Sequence, residues 1–356
     1  PFVSPERQLP WLHKMTMQLA ARHERFDIRA IDTHYSATSP TLGFSISPTA
    51  QLLLRTSYSE GFISPTVSQL TPPTTSTLLT TVTDPLRGNE QVDFYPLTSG
   101  NPELEPESSK SINAGFVYIP AFIDHLRISM DYYRIKKDNN ITSLNAQTLV
   151  DNPRYSDYVI RAPLDADDPY PVGEITRVDT HYFNALSLDT RGVDTSLTYV
   201  NDTRIGRLTM NLGYTYVDRY LQQDALDTDP VNYLARHFSN DISAPLRHRI
   251  NASTQLNISS QWNLGWAMQH YDSYRLSSEE TIRDQGSEII PSQTFHDLFT
   301  QYNLGEQGHY IDNLQFTLGI KNVFNDYQID VSESDYISRY SDARLRQYYL
   351  NIKSIF

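Results

Sequence analysis

Histidines and clustered carboxylates are the side chains of this sequence best suited to metal or acid–base chemistry. The ten histidines are scattered, and no His-x-x-x-His zinc pattern occurs, which favours structural histidines. Two acidic patches lie in predicted loops, each followed by proline, and Ca²⁺ prefers carboxylate oxygens. Neither patch has the EF-hand spacing, so the sequence favours solvated acidic loops and predicts no metal site. The patches are Asp165, Asp167 and Asp168, and Asp224, Asp227 and Asp229.

Enzymatic signatures are also missing from the sequence. It contains no nucleophile elbow and no phosphate-cradling glycine loop. A paired-carboxylate glycosidase stays open, because any two carboxylates could meet in space. We therefore expect a protein that is not an enzyme and that uses no cofactor. The net charge of -13 argues against a nucleic-acid partner.

Segments of alternating apolar and polar residues recur along the whole chain and predict about twelve β-strands. Apolar positions carry almost no charge, and the alternate positions are Ser, Thr, Asn, Gly or Gln. The last segment continues to the final residue, with Tyr348, Leu350, Ile352, Ser354 and Phe356 on one face. A strand at an open edge invites aggregation, so this one needs a partner strand, as in a closed barrel.

The composition favours a membrane barrel over a soluble sheet protein. Mean hydropathy is only -0.48, and the one long uncharged stretch, 61–83, contains three prolines and cannot be a spanning helix. In barrel strands apolar residues alternate with polar ones, so the mean hydropathy of the chain stays low. The 24 tyrosines suit aromatic girdles at the membrane surfaces. We predict an all-β, antiparallel, up-and-down transmembrane β-barrel.

The predicted connections supply an independent test. After one modest link at 28–35, short and long connections alternate, as expected for short periplasmic turns and long outer loops. A Tyr-rich soluble sugar-binding β-protein is the alternative. It requires Leu126, Met130, Leu212 and Leu318 to be buried between stacked sheets, whereas the barrel requires them on an outer, lipid-facing surface.

Six segments, in register along the chain, resemble the TonB-dependent outer-membrane receptor family. The first resembles that family's Arg-Ala-Ser-Tyr strand and Phe-Arg-Ala-Pro loop entry, and the second its Gly-Asn-Pro-x-Leu-x-Pro-Glu segment. The others match later strands. The segments are LLLRTSYSEGFISP (52–65), GNPELEPESSKSINAGFVY (100–118), SMDYYRIKKDNNI (129–141), TRGVDTSLTY (190–199), LGIKNVFND (318–326) and YYLNIKSIF (348–356).

The resemblance implies active uptake of a scarce solute, such as siderophore iron or a glycan, across a Gram-negative outer membrane. Family barrels have 22 strands and enclose a plug. Residues 1–356 are therefore expected to be one C-terminal portion of the barrel, without plug or TonB box. The implied partners are outer-membrane lipid and lipopolysaccharide, the TonB complex through the missing plug, and the barrel-assembly machinery, which would recognise Phe356. A self-contained channel or enzyme barrel remains the alternative function.

The loop from Phe62 to Leu104 is the predicted ligand-facing segment. Haem-uptake members carry a histidine in this loop, and this sequence has none there, which disfavours haem. Asp93, Phe94 and Tyr95 are the candidate substrate-contacting residues, because the two rings could stack on a sugar or an aromatic siderophore. Packing within the loop is the alternative role for these rings.

Overall fold

A computed structural model describes residues 12–29, 31–71, 74–75, 79–98, 100–143, 145–223, 229–237, 244–277, 279–305, 313–327, 340 and 344–355. Twelve long strands dominate it. They are β1 (Lys14–Ile28), β2 (Thr33–Thr49), β3 (Leu52–Ile63), β4 (Glu107–Tyr118), β5 (Leu126–Ser143), β6 (Tyr182–Thr203), β7 (Gly206–Gln223), β8 (His248–Asn257), β9 (Trp262–Tyr271), β10 (Gln293–Asn303), β11 (Asn313–Lys321) and β12 (Gln347–Ile355).

Each long strand pairs antiparallel with the next one in the chain, so a single sheet runs in order from β1 to β12. The short strand Val231–Asn232 adds to β7. Among the described strands, β1 and β12 have one neighbour each and form the two ends of the sheet. The predicted up-and-down order of twelve antiparallel strands is confirmed.

The two faces of the sheet differ as the alternation predicts. On the apolar face, Met130 is 41% exposed, Leu212 36% and Leu318 56%, and Leu126 is also partly accessible. The stacked-sheet alternative is therefore wrong, because its core residues are on an open surface. The polar face carries hydrogen-bonded small side chains, such as the hydroxyls of Ser129 and Ser196, 2.8 Å apart.

Aromatic side chains flank the apolar face at both ends. Trp262 and Tyr302, paired across β9 and β10, lie at the end with short turns, and their rings pack edge to face. Tyr58, Tyr132 and Tyr216 lie toward the long-loop end, and we call these three the upper girdle. An apolar band between two rows of aromatic residues is the surface that a barrel presents to lipid.

An ion pair on the polar face depends on a glycine between its partners. Arg55 on β3, Gly115 on β4 and Asp131 on β5 occupy consecutive cross-strand positions. The guanidinium of Arg55 donates to both carboxylate oxygens of Asp131, at 2.8 and 2.5 Å. A Cβ at Gly115 would lie 2.2 Å from Asp131 Oδ1, so only glycine allows this side-chain bridge to cross the strand.

The connections alternate in length as predicted. The short connections lie at one end of the sheet and are 50–51, 119–125, 204–205, 258–261 and 304–312. The long connections lie at the other end, together with the short link 29–32, and are 64–106, 144–181, 224–247, 272–292 and 322–346. No helix of the described residues is long and apolar enough to cross a membrane. The loop elements are α1 (Val67–Leu70), α2 (Ala146–Asp151), α3 (Glu279–Gln285), the 3₁₀ helices Pro85–Arg87 and Pro153–Tyr158, and the strands Thr74–Thr75, Thr80–Asp84, Glu90–Phe94, Leu97–Thr98, Val159–Arg161, Ile175–Val178, Arg236–His237, Tyr274–Leu276 and Ile289–Ile290.

Candidate functional site

Two of the long connections fold against each other and form a core of their own. The hairpin Thr80–Asp84/Glu90–Phe94 packs on α2 and on a second hairpin, Val159–Arg161/Ile175–Val178. We call residues 80–94 and 145–178 the loop unit. Its core continues onto Phe183 at the start of β6, and consists of Val82, Phe94, Ala146, Leu149, Val150, Tyr155, Val159, Ile175, Val178 and Phe183.

A buried ion pair joins the two hairpins of the loop unit. Asp84 is fully buried, and its carboxylate accepts hydrogen bonds from Arg161 at 2.5 and 3.0 Å. The backbone N–H of Leu86 donates to the same carboxylate at 3.1 Å. A buried carboxylate needs such partners, because taking a charge out of water costs several kcal/mol. The pair therefore fixes one long loop against the other.

Arg87 makes a second cross-link between the same loops. Its side chain is buried and donates to Asp168 Oδ2 at 2.6 Å, to the carbonyl of Val172 at 2.7 Å and to Glu90. The guanidinium also lies 4.8 Å from the ring centroid of Tyr170. The Arg87 guanidinium, helped by the backbone N–H of Tyr170, holds the pKa of Asp168 below its usual range. These charges are therefore paired within the loop unit.

The structure separates the three substrate-contacting residues predicted in this loop. Phe94 is only 5% exposed and packs in the core of the loop unit. Tyr95 is 55% exposed, and Asp93 is exposed and accepts a hydrogen bond from the Thr81 hydroxyl at 2.6 Å. Alternation along the strand explains the split, since neighbouring residues point to opposite sides. Contact of Asp93 and Tyr95 with a ligand stays a prediction.

The acidic patches do not assemble a metal site within the part of the chain that the structure describes. No group of three or more histidine or carboxylate side chains there is arranged to hold a metal ion. Asp168 is engaged by Arg87, while Asp165, Asp167 and Asp229 are exposed. Two residues of the second patch, Asp224 and Asp227, lie outside the described residues, as does Phe356.

A cavity of about 630 Å³ opens at the long-loop end of the sheet, between connections 224–247 and 272–292. A small sheet builds its wall: Arg236–His237 pairs parallel with Tyr274–Leu276, which pairs antiparallel with Ile289–Ile290. This register places Arg236 beside Arg275. We call this cavity the arginine pocket, and its polar lining includes Arg236, Arg247, Arg275, Asp272, Ser273 and Tyr274.

The arginine pocket contains cationic groups without internal partners. Among the described residues, the side chains of Arg236 and Arg247 have neither an ion pair nor a hydrogen bond, whereas Arg275 pairs with Glu288 at 2.7 Å. Asp272 accepts from the backbone N–H of Ser273. Planar guanidinium groups bind carboxylate, phosphate or other chelating oxyanions through paired hydrogen bonds. The pocket is therefore suited to an anionic ligand.

Aromatic side chains continue from the pocket toward the polar face of the sheet. Tyr274 is buried and packs on Tyr340, which also contacts Tyr271. The guanidinium of Arg249 lies 5.5 Å from the ring centroid of Tyr271, its cross-strand partner. Tyr271 and Tyr340 are partly exposed, so aromatic rings and cationic groups are close to each other at this end of the sheet.

Local sequence patterns do not predict the arginine pocket. Arg236, Arg247 and Arg275 belong to two connections separated by β8 and β9, so no local motif contains them. The one available signal is that each arginine stands at or beside the end of a strand in a long connection. Such positions become a site only when the loops meet.

Comparison with known proteins places this fold among receptors of one family. The family model described as "TonB dependent receptor-like, beta-barrel" matches residues 6–323. A search of curated proteins finds no match. Solved structures with similar folds include the siderophore receptor PirA from Acinetobacter baumannii, with TM-score 0.62 and 15% identity over 96% of this chain and 43% of that one.

Two further structures extend the comparison. A mutant of the ferric enterobactin receptor PfeA from Pseudomonas aeruginosa, in complex with enterobactin, gives a TM-score of 0.60 at 15% identity, covering 95% of this chain and 43% of that one. The FrpB iron transporter from Neisseria meningitidis gives a TM-score of 0.53 at 14% identity, covering 95% of this chain and 42% of that one. At such identities the likeness shows the fold alone, and the chain spans less than half the length of these proteins.

Proposed function

The chain belongs to the family of TonB-dependent receptor-like β-barrels, and from this we propose that it supplies wall and outer loops for TonB-dependent uptake across a Gram-negative outer membrane. The exposed apolar band between two aromatic rows supports the membrane setting. On this proposal the protein is a transporter and not an enzyme. Its partners are the TonB complex, outer-membrane lipid and lipopolysaccharide, and the barrel-assembly machinery acting at Phe356.

We infer that the solute is an anionic ferric chelate of the siderophore class. The arginine pocket carries this inference, because it places unpaired guanidinium groups beside tyrosine rings at the long-loop end. A neutral glycan gains from stacking but not from the guanidinium charges, whereas a negatively charged iron–catecholate complex gains from both. A mutant of the ferric enterobactin receptor PfeA, whose fold is similar, is solved in complex with enterobactin.

Uptake of radiolabelled iron chelates tests the proposal. The full reading frame that encodes this chain would be expressed in cells lacking their own siderophore receptors, with and without a working TonB. We expect accumulation of an anionic ferric catecholate, little accumulation of a neutral ferric hydroxamate, and loss of the catecholate accumulation without TonB.

The same assay separates the other functions. TonB-independent entry of both chelates would indicate a passive channel and would overturn the proposal of active transport. Equal, TonB-dependent uptake of the neutral and the anionic chelate would retain active transport and refute the charge-based assignment of the solute.

A further inference from the structure

Two aromatic rings on the polar face of the sheet lie directly over glycines of the neighbouring strand. Phe299 on β10 faces Gly265 on β9, and Tyr349 on β12 faces Gly319 on β11. A Cβ built on either glycine would overlap the facing ring, and both glycines are buried. The rings therefore extend sideways along the wall, over the adjacent strand. We call Phe299 and Tyr349 the seated rings.

The seated rings belong to one transverse row of the sheet. Phe299 is also the direct partner of Gly319, so the row crosses β9 to β12 in the order Gly265, Phe299, Gly319 and Tyr349. Adjacent strands are about 4.8 Å apart, so the two strands that carry rings are about 10 Å apart. Both aromatic residues are partly exposed. The row thus presents two ring surfaces at one level of the polar face.

This row lies below the arginine pocket on the same part of the sheet. Phe295 precedes Phe299 by four residues on the polar face of β10, a distance of about 13 Å toward the long-loop end. The ring of Phe295 packs edge to face on Tyr271, which is followed directly by Asp272 of the pocket. A ligand that moves from the pocket into the barrel along these strands would therefore meet Tyr271 and Phe295 first and the seated rings second.

A cationic group accompanies the seated rings. The ammonium group of Lys321 lies 5.9 Å from the ring centroid of Tyr349. Asp297 stands two residues before Phe299 on the same face, and its carboxylate accepts a hydrogen bond from the backbone N–H of Asn322 at 2.8 Å. An aromatic anion gains from stacking on a ring and from a nearby ammonium group. The row is therefore suited to aromatic groups that carry negative charge.

Covering a glycine is a structural role in its own right, because aromatic residues stabilise glycines of the neighbouring strand. Tyr133 on β5 covers Gly192 on β6 in this way. The row on β9 to β12 has more than this cover. It has two rings side by side, a cation beside one of them, and further rings toward the arginine pocket. These additional features point to a ligand.

We propose that the seated rings form a subsite inside the barrel, on which the aromatic groups of an anionic chelate stack after the chelate leaves the arginine pocket. This rests on the solute class given under the proposed function and adds a place on its route. A ferric complex with several catecholate rings would place them on the two ring surfaces, with its charge near Lys321.

Uptake rates test the subsite separately from the arginine pocket. The double variant Phe299→Leu/Tyr349→Leu keeps apolar cover over both glycines but removes the ring faces. In cells that express the full reading frame, it should lower the maximal rate of ferric catecholate uptake about tenfold. Binding of the same chelate to cells without TonB should not change, because the pocket is intact. The exchange Phe299→Tyr/Tyr349→Phe should retain the original rate.

Tyr348 provides the matched control, because it is adjacent to Tyr349 but 70% exposed on the apolar face. Tyr348→Leu should leave uptake unchanged. Thermal unfolding in detergent and the amount of folded protein in the membrane would be measured for every variant. An unchanged rate in the leucine double variant, or a loss that only follows the amount of folded protein, would overturn the proposal. So would TonB-independent uptake by this variant, because the rings would then serve to keep the barrel closed.

A fluorescence measurement keeps the subsite distinct from the proposed transport. Phe299→Trp places a fluorescent ring over Gly265, and Phe44→Trp places one on the apolar face of β2 as the control. Titration of both purified proteins with a gallium(III) catecholate should give saturable quenching, relative to the original protein, in Phe299→Trp alone. Such quenching in a protein without uptake would support the subsite and contradict the proposed transport. TonB-dependent uptake without quenching at position 299 would retain the transport and overturn the subsite.

Discussion

The loop unit and the arginine pocket lie at the same end of the sheet but use their charges differently. In the loop unit, Asp84 and Arg161 are paired in a buried setting, and Arg87 is surrounded by acceptors. In the pocket, Arg236 and Arg247 have no such partners among the described residues. The first arrangement stabilises a fold, and the second leaves cationic groups free to interact with a ligand.

The difference shows how two arginine-containing regions can be told apart when no ligand is bound. A guanidinium that already donates to carboxylates and carbonyls gains little by binding a further anion. Arg236 and Arg247 have no such acceptor among the described residues, so an anionic ligand would supply one. The two regions should therefore respond differently to substitution.

Removal of Asp84 should have the largest effect. Asp84→Ala leaves Arg161 without its carboxylate, and breaking a buried pair costs about 3–5 kcal/mol. Hydrogen exchange should accelerate across residues 80–94 and 159–178 but stay unchanged in the arginine pocket. The exposed Asp165→Ala serves as the control. Unchanged protection in Asp84→Ala would show that the pair does not hold the loops together.

Loss of the pocket arginines should show the opposite pattern. Arg236→Ala and Arg247→Ala should each weaken binding of an anionic ferric catecholate about tenfold to a hundredfold, the value of one charge-assisted hydrogen bond. Protection of the loop unit should not change. Arg207→Ala, beside a short turn at the other end of the sheet, is the matched control. If affinity is retained in both pocket variants, the ligand binds elsewhere.

Sequence patterns predicted the sheet much better than they predicted these two regions. Alternation decides which face of a strand is apolar, so the exposure of Met130 and Leu318 followed from local spacing. The contacts of Arg87 with Asp168, and of Arg236 with its neighbours, join residues from separate connections or separate strands. No local period encodes such contacts, because they depend on how the long loops pack.

The pH response should also differ between the regions. Arg87 lowers the folded-state pKa of Asp168 below its unfolded value of about 3.9. The ionised carboxylate therefore stabilises the loop unit above about pH 4, and this contribution disappears as pH falls through the lower folded-state pKa.

Asp168→Asn isolates this contribution from that of Glu90 and Glu174, which also face Arg87. The stability difference between the original protein and Asp168→Asn, followed by hydrogen exchange of residues 168–174, should shrink below about pH 4. A difference that persists at pH 2 would contradict the ion-pair explanation.

The smallest effect is expected at Tyr95, and its buried neighbour Phe94 serves as the comparison. Phe94→Ala should destabilise the loop unit by about 3–5 kcal/mol, because the ring is buried in its core. Tyr95→Ala removes an exposed ring, so stability should stay within about 0.5 kcal/mol of the original value.

Ligand-binding measurements then test whether the Tyr95 ring contacts the ligand. If its ring stacks on an aromatic chelate, Tyr95→Ala should weaken binding by about threefold to tenfold, the value of one aromatic contact. Tyr95→Phe keeps the ring and should restore the affinity, and Asp93→Asn tests whether the adjacent carboxylate opposes an anionic ligand. Unchanged affinity in Tyr95→Ala would show that Tyr95 makes no energetically important contact with the ligand. Because Phe94 is buried in the core of the loop unit, the arginine pocket would then be the ligand-contacting region.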